Sequence, residues 1–207
     1  MLPVRTDESS PHGKRVRRAR GQHRERQILD AAVQLIGSGG LAAVTHRAVA
    51  EAAGVPLGST TYYFIARDDL LRRTMAHAVE IESERLAGIL EEFDGVIDVE
   101  SSVALLTAMF FDKTVADPLY DLALFEMFLE ATRNPSVRSL TLSWSKMIAE
   151  LTDQVLPPTD PALPREAAVQ IVASLIDGLM LEEASNQTLG LDNLADRLRI
   201  VITRLCV

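Results

Sequence analysis

The twenty residues from 45 to 64, Thr45-His46-Arg47-Ala48-Val49-Ala50-Glu51-Ala52-Ala53-Gly54-Val55-Pro56-Leu57-Gly58-Ser59-Thr60-Thr61-Tyr62-Tyr63-Phe64, constrain the chain more than any other segment. Thr45 carries a hydroxyl that can cap a helix start, Ala48, Val49 and Ala52 recur as its buried stripe, and Gly54 tolerates the positive φ at which such a helix stops. A second short helix is expected over residues 58–64. Val55 can pack between the two, and Ala50 and Ala53 are small enough to let them approach closely across the tight turn. That geometry projects the second helix outward. Its leading face is Leu57, Ser59 and Thr60, narrow enough to enter a major groove, while Tyr62 and Tyr63 carry hydroxyls able to reach phosphate oxygens. The plainer alternative makes Tyr62, Tyr63 and Phe64 core aromatics of a small bundle, a role that suits Phe64 best.

Charge bears on that choice. The 207 residues carry a formal net charge of -8, which argues against a nucleic-acid partner until it is divided along the chain. Residues 1–70 hold ten Arg and Lys against seven Asp and Glu, net +3, and residues 71–207 hold eleven against twenty-two, net -11. Such asymmetry points to nucleic-acid contact by one part alone.

The remaining sequence reads as helix throughout. Residues 1–21, rich in Pro, Ser, Gly and Arg and nearly devoid of apolar side chains, are expected to form a flexible basic arm. Ile28, Leu29, Ala32, Val33, Leu35 and Ile36 then predict an amphipathic helix that residues 37–40, Gly-Ser-Gly-Gly, bring to an end. A long helix is expected from Arg67 to about Leu90, opened by Asp68 and Asp69 at its positive end and carrying Leu70, Leu71, Met75, Val79 and Leu86. Pro118, Pro135, Pro157, Pro158, Pro161, Pro164 and Gly190 separate further helices near 100–115, 118–132, 136–156, 165–186 and 192–205. No strand-like alternation with paired turn signals occurs, so the fold class is all-α: a three-helix unit over residues 22–70 and a larger helical domain over 71–207.

The segment resembles the helix-turn-helix of the tetracycline-repressor (TetR) family of transcriptional regulators. The likeness rests on Thr45-His46-Arg47, the run from Val49 to Val55, Gly58-Ser59, Tyr63-Phe64 and Arg67-Asp68-Asp69-Leu70, and covers roughly residues 22–70 plus a helical remainder of family-like length. It implies an N-terminal DNA-binding domain joined by a long fourth helix to a domain that dimerises and often binds a small ligand. Position by position, it implies that Thr45 caps its helix and contacts phosphate, and that Arg47 touches phosphate or a groove edge. Ser59 and Thr60 would face bases, Tyr62 and Tyr63 would bind backbone, and Arg67 would anchor another phosphate. Leu57 stands where the family often has Lys, Tyr62 where His is frequent, and Ile65-Ala66 where polar residues are common. Those departures remove phosphate contacts that the basic residues 14–20 could replace, along the backbone or in the minor groove.

In the acidic part, Val137, Leu140, Thr141, Trp144, Met147, Ile148, Leu151 and Val155 form an apolar stripe. Phe110, Phe125, Phe128, Trp144 and Met147 are candidates to line a cavity for a small apolar effector, a filled core being the alternative. The last two helices carry Val169, Val172, Ala173, Ile176, Leu179, Met180 and Leu194, Leu198, Val201, Ile202, Leu205, more apolar surface than one face requires. By resemblance they pair two subunits in a four-helix bundle. Two recognition helices about 34–36 Å apart would then read a palindromic double-stranded operator.

A helical enzyme or small-molecule carrier with an incidental basic tail is the competing class. Ser143-Trp144-Ser145-Lys146 has the Ser-x-x-Lys spacing of some acylating enzymes but no partner motif. His12, His23, His46 and His77 do not pair at metal-ligand spacing, and residues 37–40 lack the Lys-Ser/Thr of a phosphate loop. No cofactor, metal or catalytic residue is therefore expected. The lone Cys206 allows no internal disulfide, and no ~20-residue apolar stretch offers a membrane span, so a cytoplasmic setting without membrane contact is expected. Asn186-Gln187-Thr188 is a formal glycosylation sequon without consequence in that setting.

Overall fold

The computed structural model describes residues 11–112, 117–186 and 190–207. Among them lie nine helices: α1 Pro11–Ala43, α2 His46–Ala52, α3 Leu57–Tyr63, α4 Arg67–Glu91, α5 Val99–Phe110, α6 Pro118–Ala131, α7 Pro135–Val155, α8 Arg165–Asn186 and α9 Gly190–Leu205. The breaks read from Pro and Gly fall within a residue or two of these ends. Residues 113–115 of the helix expected near 100–115, and Gln187 and Thr188 of the sequon, lie outside the described residues. No helix among the described residues is long and apolar enough to cross a membrane.

Two expectations at the N-terminal end need correction. Residues 11–21 are not a coil but the first turns of α1, while residues 1–10 of the expected arm lie outside the described residues. Arg supplies six and Gln two of the fourteen residues from 14 to 27 and no Pro interrupts them, so the folded half of α1 serves as a nucleus from which helix propagates backward. At the other end, α1 passes straight through Gly37. A Cβ there would lie 2.3 Å from the Leu119 carbonyl oxygen, so Gly37 marks where α6 approaches rather than where α1 stops. The break falls at Gly40, with φ 69° and ψ 177°, and one more turn follows.

Ile28, Ala32, Val33, Ile36, Val49, Phe64 and Leu70 close the core of the N-terminal unit. α4 belongs to both units, burying Leu70, Leu71 and Met75 near α1 and Leu86 among the later helices. α6 lies along α1, so the C-terminal domain touches the N-terminal unit through two helices, not one. Polar pins mark this seam. The Asp30 Oδ1 of α1 lies 2.6 Å from His77 Nε2 of α4 and 3.4 Å from the Tyr120 hydroxyl of α6. One turn on, Gln34 donates to Asp117 Oδ2 at 2.7 Å, and the other oxygen of Asp117 accepts from the Leu119 amide, capping α6. His77 and Tyr120 are buried, and burial together with the Asp30 carboxylate pushes the Tyr120 phenol up to about 12.

Candidate nucleic-acid interface

The tight turn forms as its residues dictate. Thr45 Oγ1 accepts from the Ala48 amide at 3.1 Å and so caps α2. Gly54 takes φ 63°, the Val55 amide returns to the Ala50 carbonyl at 2.9 Å, and Val55 is buried between α2 and α3. From α1, Gln27 donates to the Ala53 carbonyl at 2.8 Å, fixing the turn to the helix beneath it.

The face of α3 is thereby oriented, though not all of the expected residues lie on it. Leu57 is 50% exposed, Tyr62 is 81% exposed, and Ser59 is half-buried at the rim. Thr60 departs from the expectation that it faces bases. It is wholly buried, and its hydroxyl lies within bonding distance of the carbonyls of Leu57, at 2.9 Å, and His46, at 3.3 Å. In a seven-residue helix following Pro56, position 60 points back toward α2, and its hydroxyl is held by the start of that helix. Thr61, one residue on and exposed, takes the outward place, its hydroxyl directed to the Leu57 and Gly58 carbonyls. The sequence offered no signal separating two adjacent threonines except their phase on the helix.

The tyrosines divide as well. Tyr62 projects outward and meets Tyr63 edge-on, with ring centroids 5.2 Å apart. Tyr63 is half-buried, its hydroxyl 3.6 Å from where a Cβ would stand on Gly21 of α1. Phe64 is fully buried, as its sequence position suggested, beneath the Arg73 guanidinium at 4.7 Å. Arg73, which the sequence reading passed over, also donates to the Tyr63 carbonyl at 3.0 Å and pairs with Glu25 of α1, so α4 holds both the end of α3 and α1.

Among the basic residues, Arg47 is exposed on α2, with no hydrogen bond or ion pair among the described residues. Arg67 is differently placed: Nε donates to the Val44 carbonyl at 2.8 Å and Nη2 to the Leu41 carbonyl at 2.5 Å. Its guanidinium ties the start of α4 to the segment leaving α1, and Nη1 is left over. The expected phosphate anchor is thus first a structural clamp.

In the C-terminal domain, Phe110 and Trp144 belong to the buried core, Phe128 and Met147 pack against it half-buried, and Phe125 is half-buried on α6. Asp121, Phe125 and Phe128 recur at i, i+4 and i+7 on α6, all half-buried, a stripe with a carboxylate at one end. Burial pushes the Asp121 carboxyl up to about 7, with the Glu82 charge adding to the rise and Arg85 opposing it. Glu82 is buried and paired with Arg85 at 2.7 Å, while Arg85 Nη2 donates to the Met109 carbonyl and its buried Nη1 has no hydrogen-bond partner among the described residues. The Ser-x-x-Lys pair stands on the surface of α7: Ser143 donates to the Ser139 carbonyl, and Lys146 lies 3.5 Å from Glu150. On α8 and α9, Ile171, Leu181, Leu191 and Ile200 stay 46–63% exposed. Ser174, Leu175, Gly178, Leu179, Glu182, Arg197, Ile200 and Val201 line a groove of about 510 Å³ there.

Comparison with known proteins finds two family matches on the chain. Residues 28–74 match the bacterial regulatory proteins of the tetR family, and residues 98–206 match the tetracyclin repressor-like C-terminal domain. The nicotine-responsive transcriptional repressor HdnoR of Paenarthrobacter nicotinovorans is 30% identical over 112 residues, 54% of this chain and 56% of that one, so the match spans a little over half of that relative. The transcriptional regulator BetI of Burkholderia thailandensis is 28% identical over 164 residues, 78% of this chain and 82% of the other. Among solved structures, the multidrug binding protein EbrR in complex with ethidium superposes with a TM-score of 0.65 at 27% identity, over 89% of this chain and 99% of that one.

Proposed function

The chain belongs to the TetR family of bacterial regulatory proteins, and from that premise we propose that it is a cytoplasmic, ligand-responsive repressor that binds a palindromic operator as a homodimer. The observation that carries this reading is the outward face of α3: Leu57 and Tyr62 stand exposed, with Ser59 half-buried at the rim, on a helix that Thr60, Val55 and Arg73 hold rigidly from behind. A surface so firmly supported and so little covered suits a partner that must be met in register. Thr45, Arg47, Tyr62 and Tyr63 contact phosphates, Ser59 with Leu57 meets base edges, and Thr60 and Arg67 act by holding those groups in place.

Dimerisation uses the outer face of α8 and α9. Ile171, Leu181 and Ile200 stay exposed beside the half-buried Leu175, and nothing lies within 4 Å of a Cβ placed on Gly178, so a second copy can approach closely. The effector lies along the α6 stripe of Asp121, Phe125 and Phe128. A small apolar body suits the two rings, and an amine or other organic cation suits a half-buried carboxyl group with no hydrogen bond or ion pair among the described residues. The relatives that respond to nicotine and bind ethidium take nitrogenous ligands of that kind. Because α6 is pinned to α1 through Asp30 and Gly37, and α4 through His77, a ligand that prefers one position of α6 shifts the spacing of the two recognition helices through both.

The test is a gel-shift titration against the DNA upstream of the chain's own coding region at several salt concentrations. Specific binding that falls steeply with salt is expected, and absence of binding at low salt removes the regulator reading in favour of an enzyme or carrier.

A further inference from the structure

The sequence from 11 to 26 holds seven Arg and Lys, with Glu25 its one acid, and Glu25 is engaged by Arg73 of α4. In a helix this composition is self-repelling. Lys14 and Arg18 stand four apart, Arg17 and Arg20 three apart, and Arg20 and Arg24 four apart, the spacings at which like charges destabilise a helix by roughly 0.2–0.5 kcal/mol each. Yet α1 continues through them. Arg15, Arg18, Arg20 and Arg24 are exposed, and none has a carboxylate partner among the described residues. From Gln22 back to Pro11 the helix advances by about 16 Å at 1.5 Å per residue, a cationic rod on which Arg15, Arg18 and Arg20 are exposed with no carboxylate partner among the described residues.

Its direction relative to α3 is fixed by contacts. Gln27, which holds the Ala53 carbonyl at the turn, is followed one turn earlier by Arg24 and two turns earlier by Arg20, on the same side of α1. Arg20, Gly21 and Arg24 form one wall of an open groove of about 560 Å³, and Pro56, Gly58, Ser59, Tyr62 and Tyr63 of α3 form the other. Gly21 lets the two walls meet at the Tyr63 hydroxyl. Arg26 faces elsewhere, into a hollow on the α4 side with His77 and Glu80, where an acid is at hand.

We propose that the N-terminal extension of α1 is a second DNA-binding element, in which Arg20 and Arg24 grip the phosphate backbone bordering the segment that α3 reads. This rests on the regulator reading and deepens it. Arg20 and Arg24 take over the electrostatic work for which position 57, here Leu, and the uncharged Tyr62 are unsuited, and they do so from a rigid helix rather than a flexible arm. The matching occupant is double-stranded DNA, because a row of unpaired guanidinium groups beside tyrosine hydroxyls is the donor set that phosphate oxygens accept from.

The experiment uses the full chain with Arg20→Ala and Arg24→Ala combined, and with both changed to Lys. Binding is measured by fluorescence anisotropy against the upstream DNA and against a mixed-sequence duplex of equal length, across a salt series. Loss of two phosphate contacts in each subunit, four in the dimer, lowers the magnitude of the log K against log salt slope by about 3.5. Affinity for both duplexes falls by the same factor, so their ratio is kept, and the Lys pair retains the wild-type slope. Both positions are exposed, so the melting temperature stays the same. An unchanged slope in the Ala pair, or a loss confined to the upstream DNA, overturns the proposal while leaving the regulator reading intact. If the wild-type chain shows no salt-dependent binding to either duplex, the regulator reading falls and takes this proposal with it.

Discussion

Asp121 offers the sharpest physical test of the C-terminal domain. Its carboxyl, with an ordinary value of 3.8, is pushed up to about 7 by burial and by the charge of Glu82, against the opposing pull of Arg85; Asp117, which caps the same helix, adds a further rise. The folded chain therefore keeps a proton that the unfolded chain has already released between those two values. Stability contributed by that proton is full below about pH 4 and declines as pH rises toward 7. The whole displacement corresponds to a limit of roughly 4 kcal/mol, of which about 2–3 kcal/mol falls between pH 5 and pH 8. For a chain of this size that amounts to roughly 5–10 °C in melting temperature. Asp121→Asn removes the titration while keeping the shape, so its melting temperature should fall less than that of the wild type from pH 5 to pH 8, by about that margin. The assay is differential scanning calorimetry of both proteins across the range. Asp98 does not interfere, because hydrogen bonds from Ser101 lower its pKa and its loss of stability comes only in more acid solution. Parallel pH profiles for wild type and variant would refute the claim that the fold makes ionisation of Asp121 costly, and with it the reason for a cationic effector.

Two further outcomes separate residues that touch DNA from residues that support them. Arg67→Ala frees the Leu41 and Val44 carbonyls and should lower thermal stability by about 1.5–3 kcal/mol along with operator affinity, whereas Arg47→Ala should lower affinity alone; equal melting curves for the two variants would contradict this division. Thr60→Val keeps the volume but removes the hydroxyl held by the Leu57 and His46 carbonyls, so it should cost about 1 kcal/mol by chemical denaturation and leave the preferred DNA sequence unchanged, while substitution of Ser59 should alter that preference in a binding-site selection.

The sequence made the helices legible because their punctuation is local: Thr45 and Asp98 cap through their own side chains, Pro118 and Pro135 open helices, and Gly54 closes one at positive φ. What it hid depends on partners far along the chain. Gly37 resembles a stop signal until α6 supplies the Leu119 carbonyl that no side chain could face. Arg67 resembles a phosphate ligand until the carbonyls left by the break at Gly40 take up two of its nitrogens. Thr60 and Thr61 are chemically alike, and only the phase of a seven-residue helix decides which is buried.

The basic N-terminal stretch shows the same principle with the sign reversed. Composition treats residues 11–21 as solvent-seeking coil, since they have nothing to bury, yet helix propagation from a folded neighbour requires no burial of its own. Order there spreads from Ile28 and Leu29, which are buried in the core of the N-terminal unit. What α1 acquires from that core is direction: a coil bearing the same charges would spread them over a wide volume, whereas a helix carries Arg20 and Arg24 along the line that Gln27 fixes on the α2–α3 turn. The chain's positive charge is thereby concentrated beside Tyr62 and Tyr63, and the net -11 of residues 71–207 remains with the domain behind them.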